Sequence, residues 1–172
     1  NMLEIRASLA DRSYAHGSYR SFVVLDPKRR LIHVPSVRDQ VVHQAAWNVL
    51  FPFFDARFSP SATSCRPGMG TSAARGEIRH WGRLLGTRYV LHLDVVKCFD
   101  SISHQRLMER LGLWIGCPDT LDLLGKVVGS YSSDRGIPLG NLTSQLFCNV
   151  AFMEYDRLLD RVTGRRYDQV VA

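Results

Sequence analysis

The feature that most constrains this chain is a strand-like run at residues 88–95, because a single carboxylate closes an otherwise apolar segment. The apolar side chains of the run share one face by period-two alternation: Tyr89, Leu91, Leu93 and Val95. Asp94 lies on the opposite face, so the period excludes it from the core side of the strand. A carboxylate in that position needs a partner. Together with the helical segments described next, the run predicts a mixed α+β fold.

Local patterns predict the remaining elements. Short β-prone runs at residues 21–25 and 30–34 flank Asp26-Pro27-Lys28-Arg29, where proline presets a turn, so this region is predicted to be a hairpin with a basic tip. Apolar spacing, caps and stops predict five helices. The first runs from its N-cap Ser36 to Pro52, and the second, capped by Thr71, ends at Gly86 with Ala74, Ile78, Trp81 and Leu85 as its apolar face. The third runs from Ser103 to Gly112 with Leu107 and Leu111 on one face, and the fourth from Pro118 through Val128 with Leu121, Leu124, Val127 and Val128. The last runs from Leu142 to about Val162, with Leu146, Val150, Met153 and Leu158 roughly in phase.

Composition bounds the class of protein. The 172 residues with 45% hydrophobic content predict one globular unit, and the net charge of +6 favours a polyanionic partner over a merely solvated basic surface, without proving it. The four cysteines form no C-x-x-C pair, so neither a zinc knuckle nor a disulfide framework is indicated. No apolar run reaches the roughly 18 residues that a membrane span needs, and we expect a cytoplasmic protein with no membrane partner.

Three segments could carry chemistry, although each has an ordinary structural explanation when taken alone. An aspartate at a strand end, such as Asp94, is more often a cap than a metal ligand. An isolated Phe99 is more often a core aromatic. The glycine-rich segment at residues 136–141 comes just before a helix and could be a plain helix entry, although such a loop lets backbone approach a ligand and leaves N–H groups free to meet a phosphate.

In their order and spacing, these segments resemble the palm of a reverse transcriptase. Residues 19–35, 38–43 and 64–71 are similar to the fingers of the same enzymes, so the resemblance covers about residues 19–167. His33 and His43 resemble landmarks of the family and are predicted to be hydrogen-bonded structural groups. Many relatives carry Gln before the glycine at position 140, whereas this chain carries Leu139, a pattern that resembles the error-prone reverse transcriptases of diversity-generating retroelements.

The resemblance implies a site for two-metal nucleotidyl transfer. Asp94 would be the catalytic metal ligand and the Val95 carbonyl would add a further oxygen, with Mg²⁺ or Mn²⁺ as the cofactor. The ring of Phe99 would exclude ribonucleotides by packing under the sugar of the incoming nucleotide. The remaining nucleotide-binding residues implied are Lys28, Arg30, Arg38, Leu139, Gly140 and Gln145. Partners would be an RNA template, a DNA primer, deoxynucleoside triphosphates and a retroelement accessory protein.

The resemblance also implies the domain organisation. Residues 1–88 would be fingers, and residues 89–172 an incomplete ferredoxin-like palm with a finger insertion at about 113–135. The Tyr-x-Asp-Asp turn that supplies further metal carboxylates in this family does not occur in the sequence, nor does a thumb, so we expect the 172-residue chain itself to be inactive. A group II intron or retron reverse transcriptase is one alternative, and a non-catalytic nucleic-acid-binding remnant is another.

Overall fold

The structure is a computed structural model that describes residues 1–25, 28–86, 92–131 and 134–162. In chain order its elements are α1 (Met2–Ala10), β1 (Arg20–Val24), β2 (Arg30–Val34), α2 (Val37–Asp55), α3 (Thr71–Leu85), α4 (Cys98–Ser101), α5 (His104–Trp114), α6 (Pro118–Val128) and α7 (Leu142–Val162). Helix α1 has no counterpart among the sequence predictions. The mixture of helices with a small sheet agrees with an α+β class.

The predicted hairpin is confirmed. Strands β1 and β2 pair antiparallel, with Phe22 opposite Ile32, and they form the only sheet within the described part of the chain. The predicted turn residues Asp26 and Pro27 lie outside the described residues, whereas Lys28 is described and exposed. Most of the hairpin's side chains are exposed, so backbone contacts of β2, described below, position it against the rest of the protein.

Helix α2 begins where the sequence predicts but ends later. The Ser36 side chain accepts a hydrogen bond from the backbone N–H of Asp39, which confirms the N-cap. The predicted stop at Pro52 is wrong, because the helix continues through this proline to Asp55. A proline inside a helix costs about 3 kcal/mol. Continuing the helix buries Phe54, and this burial contributes about 1.5–3 kcal/mol toward offsetting that cost.

Helices α2, α5, α6 and α7 share the main core, and the predicted apolar faces of the last three supply much of it. The confirmed core positions are Leu107, Leu111, Leu124, Val127, Val128, Leu146, Val150 and Met153. Leu158, predicted to be in phase with the apolar face of α7, is instead 53% exposed. Helix α5 runs two residues beyond the predicted stop at Gly112. This core joins α2 to the later helices, and a second, smaller core forms around Tyr14.

Helix α3 has the predicted bounds but not the predicted burial. The predicted cap Thr71 is wrong, because Thr71 is the first helical residue and Gly70 is the N-cap, whereas Gly86 ends the helix in the left-handed conformation at φ 57° as predicted. The predicted apolar face is only partly covered, since Ala74 and Trp81 are half-buried and Ile78 is 66% exposed. Periodicity identified the helix correctly, but it could not identify what packs against the helix.

The strand predicted at residues 88–95 is not present in the part that can be described. Residues 87–91 lie outside the described residues, and residues 92–95 are exposed and belong to no strand. The chain then turns at Lys97, which has a left-handed φ of 47°, and enters the short helix α4. The ferredoxin-like palm and the division of the chain near residue 88 therefore stay predictions.

Candidate functional site

The glycine loop, defined here as residues 136–141, contacts the segment that carries Phe99. The backbone N–H of Ile137 donates to the carbonyl oxygen of Phe99 at 3.0 Å, and that of Gly136 donates to Ile102 at 2.8 Å. Gly136 has a φ of 89°, and a Cβ there would lie 3.4 Å from the carbonyl oxygen of Asp100. Glycine therefore permits this loop to run directly alongside α4.

The other end of the glycine loop contacts the hairpin. The backbone N–H of His33 in β2 donates to the carbonyl oxygen of Leu139 at 2.8 Å. Gly140 has a φ of 121°, and a Cβ there would lie only 2.7 Å from the carbonyl oxygen of His33. Any larger residue would push β2 away. The loop thus joins the hairpin to the α4 segment, and it brings the predicted residues Phe99, Leu139 and Gly140 into one region.

Phe99 is partly buried and packs against the main core. This placement agrees with an ordinary packing role, and it also holds the residue in a fixed position next to the glycine loop. The structure therefore leaves the predicted role in sugar selection as a prediction.

The predicted metal ligands lie in an open segment. Asp94 is exposed, and Val95 is 45% exposed. A two-cation site needs several hard oxygen ligands. Within the described ranges, no three His, Cys, Asp or Glu side chains are grouped so that they could hold a metal ion. These residues alone therefore do not fit Mg²⁺ or Mn²⁺, and a complete site would require carboxylates from elsewhere.

Three of the predicted nucleotide-binding side chains are solvent-accessible. Lys28 and Arg30 are exposed at the tip of the hairpin, where Arg30 is the first residue of β2. Gln145 is exposed in the first turns of α7, beside buried neighbours. All three are free to meet a ligand, but no described contact joins any of them to Phe99.

Arg38 has a different environment from the other predicted triphosphate ligands. Its guanidinium donates to the carbonyl oxygen of Ala15 at 3.1 Å and to Ser8 Oγ at 3.3 Å. It also lies 5.0 Å from the centre of the Tyr14 ring. These contacts hold the segment after α1 against α2, so a structural role accounts for Arg38 without a nucleotide.

A buried polar cluster beside the hairpin was not found by sequence reasoning. At its centre Asp39, only 1% exposed, accepts hydrogen bonds from Tyr14 Oη at 2.8 Å, Ser36 Oγ at 2.7 Å and the backbone N–H of Gly17 at 3.2 Å. Burial acts to raise the pKa of Asp39, but the hydrogen bonds from Ser36 and Tyr14 outweigh it, and the pKa is lowered. Asp39 is therefore a buried carboxylate that anchors the segment around Tyr14.

Two histidines extend this cluster toward α7. His16 Nδ1 lies 2.7 Å from the carbonyl oxygen of Gly17 and must donate to it, so the Nε2 of neutral His16 is an acceptor. His43 Nε2 lies 3.0 Å from His16 Nε2 and donates to it. The remaining His43 Nδ1 then accepts from Thr143 Oγ1 at 2.6 Å. This assignment satisfies the contact of His16 with Gly17 and the contacts of His43 with His16 and Thr143.

Protonation of His43 would disrupt this arrangement. Burial, and then the charge that His16 carries when it is protonated, lower the pKa of His43 to about 4, although Asp39 acts in the opposite direction. A second proton would place an N–H opposite the donating Thr143 hydroxyl or force that hydroxyl to rotate. His43 is therefore neutral at physiological pH and has a structural role, as the sequence predicted.

A second hydrogen-bond chain joins the N-terminal segment to the start of α7. Ser130 Oγ donates to the carbonyl oxygen of Val127 at 2.6 Å, so it accepts from Tyr19 Oη at 2.7 Å. The same Tyr19 oxygen accepts from Asn141 Nδ2 at 2.9 Å. His33 is also hydrogen-bonded, as predicted, with Tyr131 Oη lying 3.1 Å from its Nε2. These contacts fix both ends of the glycine loop.

The sequence carried only a faint signal for this cluster. Asp39 stands three residues after the N-cap Ser36, a spacing typical of a local capping interaction. Its partners Tyr14 and Gly17 are more than twenty residues away. Only the tertiary arrangement brings them together.

Comparison with known proteins shows similarity to intron-encoded proteins. No protein-family model matches the chain. It is 28% identical over 140 residues to a COX1/OXI3 intron 1 protein of Saccharomyces cerevisiae, which covers 76% of this chain and 16% of the relative. It is 24% identical over 168 residues to the group II intron-encoded protein LtrA of Lactococcus lactis, which covers 91% of this chain and 28% of the relative.

A plant relative extends the same pattern. The nuclear intron maturase 4, mitochondrial, of Arabidopsis thaliana is 24% identical over 152 residues, covering 84% of this chain and 19% of the relative. The chain thus spans 16–28% of the length of these three proteins. All three names refer to introns, and that of LtrA refers to a group II intron, which agrees with the group II intron alternative. None of the three names refers to a diversity-generating retroelement.

The structure adds one negative finding. No helix within the described residues is long and apolar enough to cross a membrane.

Proposed function

We propose that this chain is the fingers and part of the palm of an RNA-directed DNA polymerase related to group II intron-encoded proteins. The observation that carries the proposal is the glycine loop, which joins β2 to the Phe99 segment through the hydrogen bonds of Leu139 and Ile137. These motifs are far apart in the sequence. A nucleotide pocket built from these motifs requires that they lie next to each other in the fold.

In this proposal the complete protein copies an RNA template from a DNA primer, using deoxynucleoside triphosphates. Asp94, with the Val95 carbonyl, contributes to a Mg²⁺ or Mn²⁺ site completed by further carboxylates. Phe99 selects the sugar of the incoming nucleotide. The residues proposed to contact the triphosphate or shape the pocket are Lys28, Arg30, Leu139, Gly140 and Gln145.

The test compares two nearby aspartates in the complete gene product that contains this sequence. Asp94→Asn should abolish template-dependent incorporation of deoxynucleotides, because an amide is a poor ligand for a hard divalent cation. Asp100→Asn is the matched control, since Asp100 is also an exposed carboxylate but lies on α4. Primer extension by the Asp94→Asn protein at the wild-type rate would contradict the proposal.

A diversity-generating retroelement enzyme is the second candidate, favoured by Leu139 in place of the Gln that many reverse transcriptases carry before the glycine. The two candidates differ in fidelity. Sequencing of the cDNA made by the complete protein would favour this candidate if errors concentrate opposite template adenines, and the group II intron type if they do not.

A further inference from the structure

Helix α3 carries a stripe of basic side chains that the proposed site does not use. Arg75, Arg79 and Arg83 recur at four-residue spacing, and all three are exposed. At a rise of about 1.5 Å per residue they are about 6 Å apart along the helix and span about 12 Å. We call Arg75, Arg79 and Arg83 the arginine stripe.

The residues around the arginine stripe leave it open. Gly76 and Gly82 lie on the two edges of the stripe by the 100° step per residue, and apart from the adjoining residues and backbone of α3 itself no atom lies within 4 Å of the position that a Cβ on Gly76 would occupy. Arg79 and Arg83, together with Gly76, line an open depression of about 520 Å³. A bulky, extended ligand could therefore reach both the guanidinium groups and the helix backbone.

No acidic side chain neutralises the arginine stripe within the described part of the protein. The only acidic residue of α3, Glu77, lies on the other side of the helix, where its carboxylate accepts from Ser61 Oγ at 2.8 Å. None of the three arginines forms an ion pair or a side-chain hydrogen bond with another described residue. The stripe is thus a row of uncompensated positive charge on a protein with a net charge of +6.

Arginine in this arrangement suits a phosphate backbone. The guanidinium group presents paired N–H donors that match phosphate oxygens, and it is less strongly hydrated than an ammonium group. The stripe is long enough to meet about three successive phosphates of one strand, at roughly 3.4 Å of axial rise for each. Such contacts position a nucleic acid without reading its bases.

We propose that the arginine stripe of α3 binds the phosphate backbone of RNA, independently of base sequence. The choice of RNA as the polyanion rests on the function proposed above. An anionic membrane is the competing partner, because Ile78 and Leu84 of the same helix are 66% and 64% exposed. The glycines that flank the stripe favour RNA, since they admit a phosphate backbone beside the arginines.

The test uses the 172-residue chain and two variants with the same net charge. The stripe variant is Arg75→Gln with Arg79→Gln and Arg83→Gln. The matched control changes three exposed arginines on other helices, which also lack ion pairs within the described residues: Arg6→Gln, Arg106→Gln and Arg161→Gln. Binding of a fluorescent 20-nucleotide RNA of mixed sequence is measured by anisotropy from 50 to 200 mM salt, and circular dichroism confirms that each variant is folded.

The stripe variant should bind RNA at least tenfold more weakly at low salt, and its slope of log affinity against log salt should fall by about 2, or 0.7 for each lost contact to a single strand. The control variant should retain most of the wild-type affinity and slope. Equal losses in both variants would show that net charge alone drives binding, and would overturn the proposal. So would unchanged RNA binding in the stripe variant.

A vesicle experiment separates the two possible partners. If the wild-type protein sediments with phosphatidylserine vesicles and the stripe variant does not, while the stripe variant keeps full RNA affinity, α3 binds a membrane and not RNA. These outcomes are independent of primer extension by the complete protein and its Asp94→Asn variant, so failure of the stripe is distinguishable from failure of the polymerase proposal.

Discussion

Acidification should destabilise this protein through His43. The pKa of this histidine is about 4 in the folded state and 6.5 in a model peptide, because burial and the neighbouring His16 disfavour the charged ring. Between these two values the unfolded chain binds more protons than the folded chain, so the free energy of unfolding falls as the pH falls from about 6.5 to 4. A difference of about 2.5 pKa units corresponds to about 3 kcal/mol at full extent.

The assay is urea unfolding at several pH values from 7.5 to 4.5 for wild type and His43→Gln. The variant has no titrating group at this position and can still hydrogen-bond, so the difference between the two proteins isolates the histidine. Asp156 has the opposite effect on how the free energy of unfolding of each protein depends on pH. Burial and the charge of Asp160 raise the pKa of Asp156 to about 6, which stabilises the fold as the pH falls. Because both proteins contain Asp156, its contribution cancels.

Wild type should lose stability relative to His43→Gln over this range by an amount approaching about 3 kcal/mol. A difference in stability that stays constant from pH 7.5 to 4.5 would refute the reasoning, because it would mean that His43 titrates alike in both states.

Three further substitutions test the roles of Gly140, Asp156 and Phe99. Gly140→Ala should lower stability by about 2 kcal/mol, through its φ of 121° and the contact of a Cβ with the His33 carbonyl, whereas Gly112→Ala in the exposed last turn of α5 should not, as measured by urea unfolding. Asp156→Asn should stabilise the fold by about 1 kcal/mol above pH 6, less than the full shift in pKa would give because solvent screens this partly exposed carboxyl, and should have little effect below pH 4, which thermal melts at both pH values would check. In the complete enzyme, Phe99→Ala should raise ribonucleotide relative to deoxynucleotide incorporation, and an unchanged ratio in a folded variant would make the ring a packing residue.

The sequence by itself determined the local structure of this protein. Ser36 and Ser103 cap the helices that follow them, and apolar spacing placed α5, α6 and α7 with their buried faces. The hairpin followed from β-prone runs on either side of a proline turn. These signals act over a few residues, through side-chain hydrogen bonds to nearby backbone and through the period of the helix or strand, so they can be read without knowing the fold.

Only the tertiary structure decided which of these elements meet. It carried α2 through Pro52, left Ile78 on the apolar face of α3 exposed, and brought Asp39 and His43 to partners far away in the chain. It also explains Gly140, whose missing side chain admits the backbone of the hairpin. Burial, desolvation and close backbone approach depend on which surfaces are in contact, and a single stretch of sequence contains only one side of each contact.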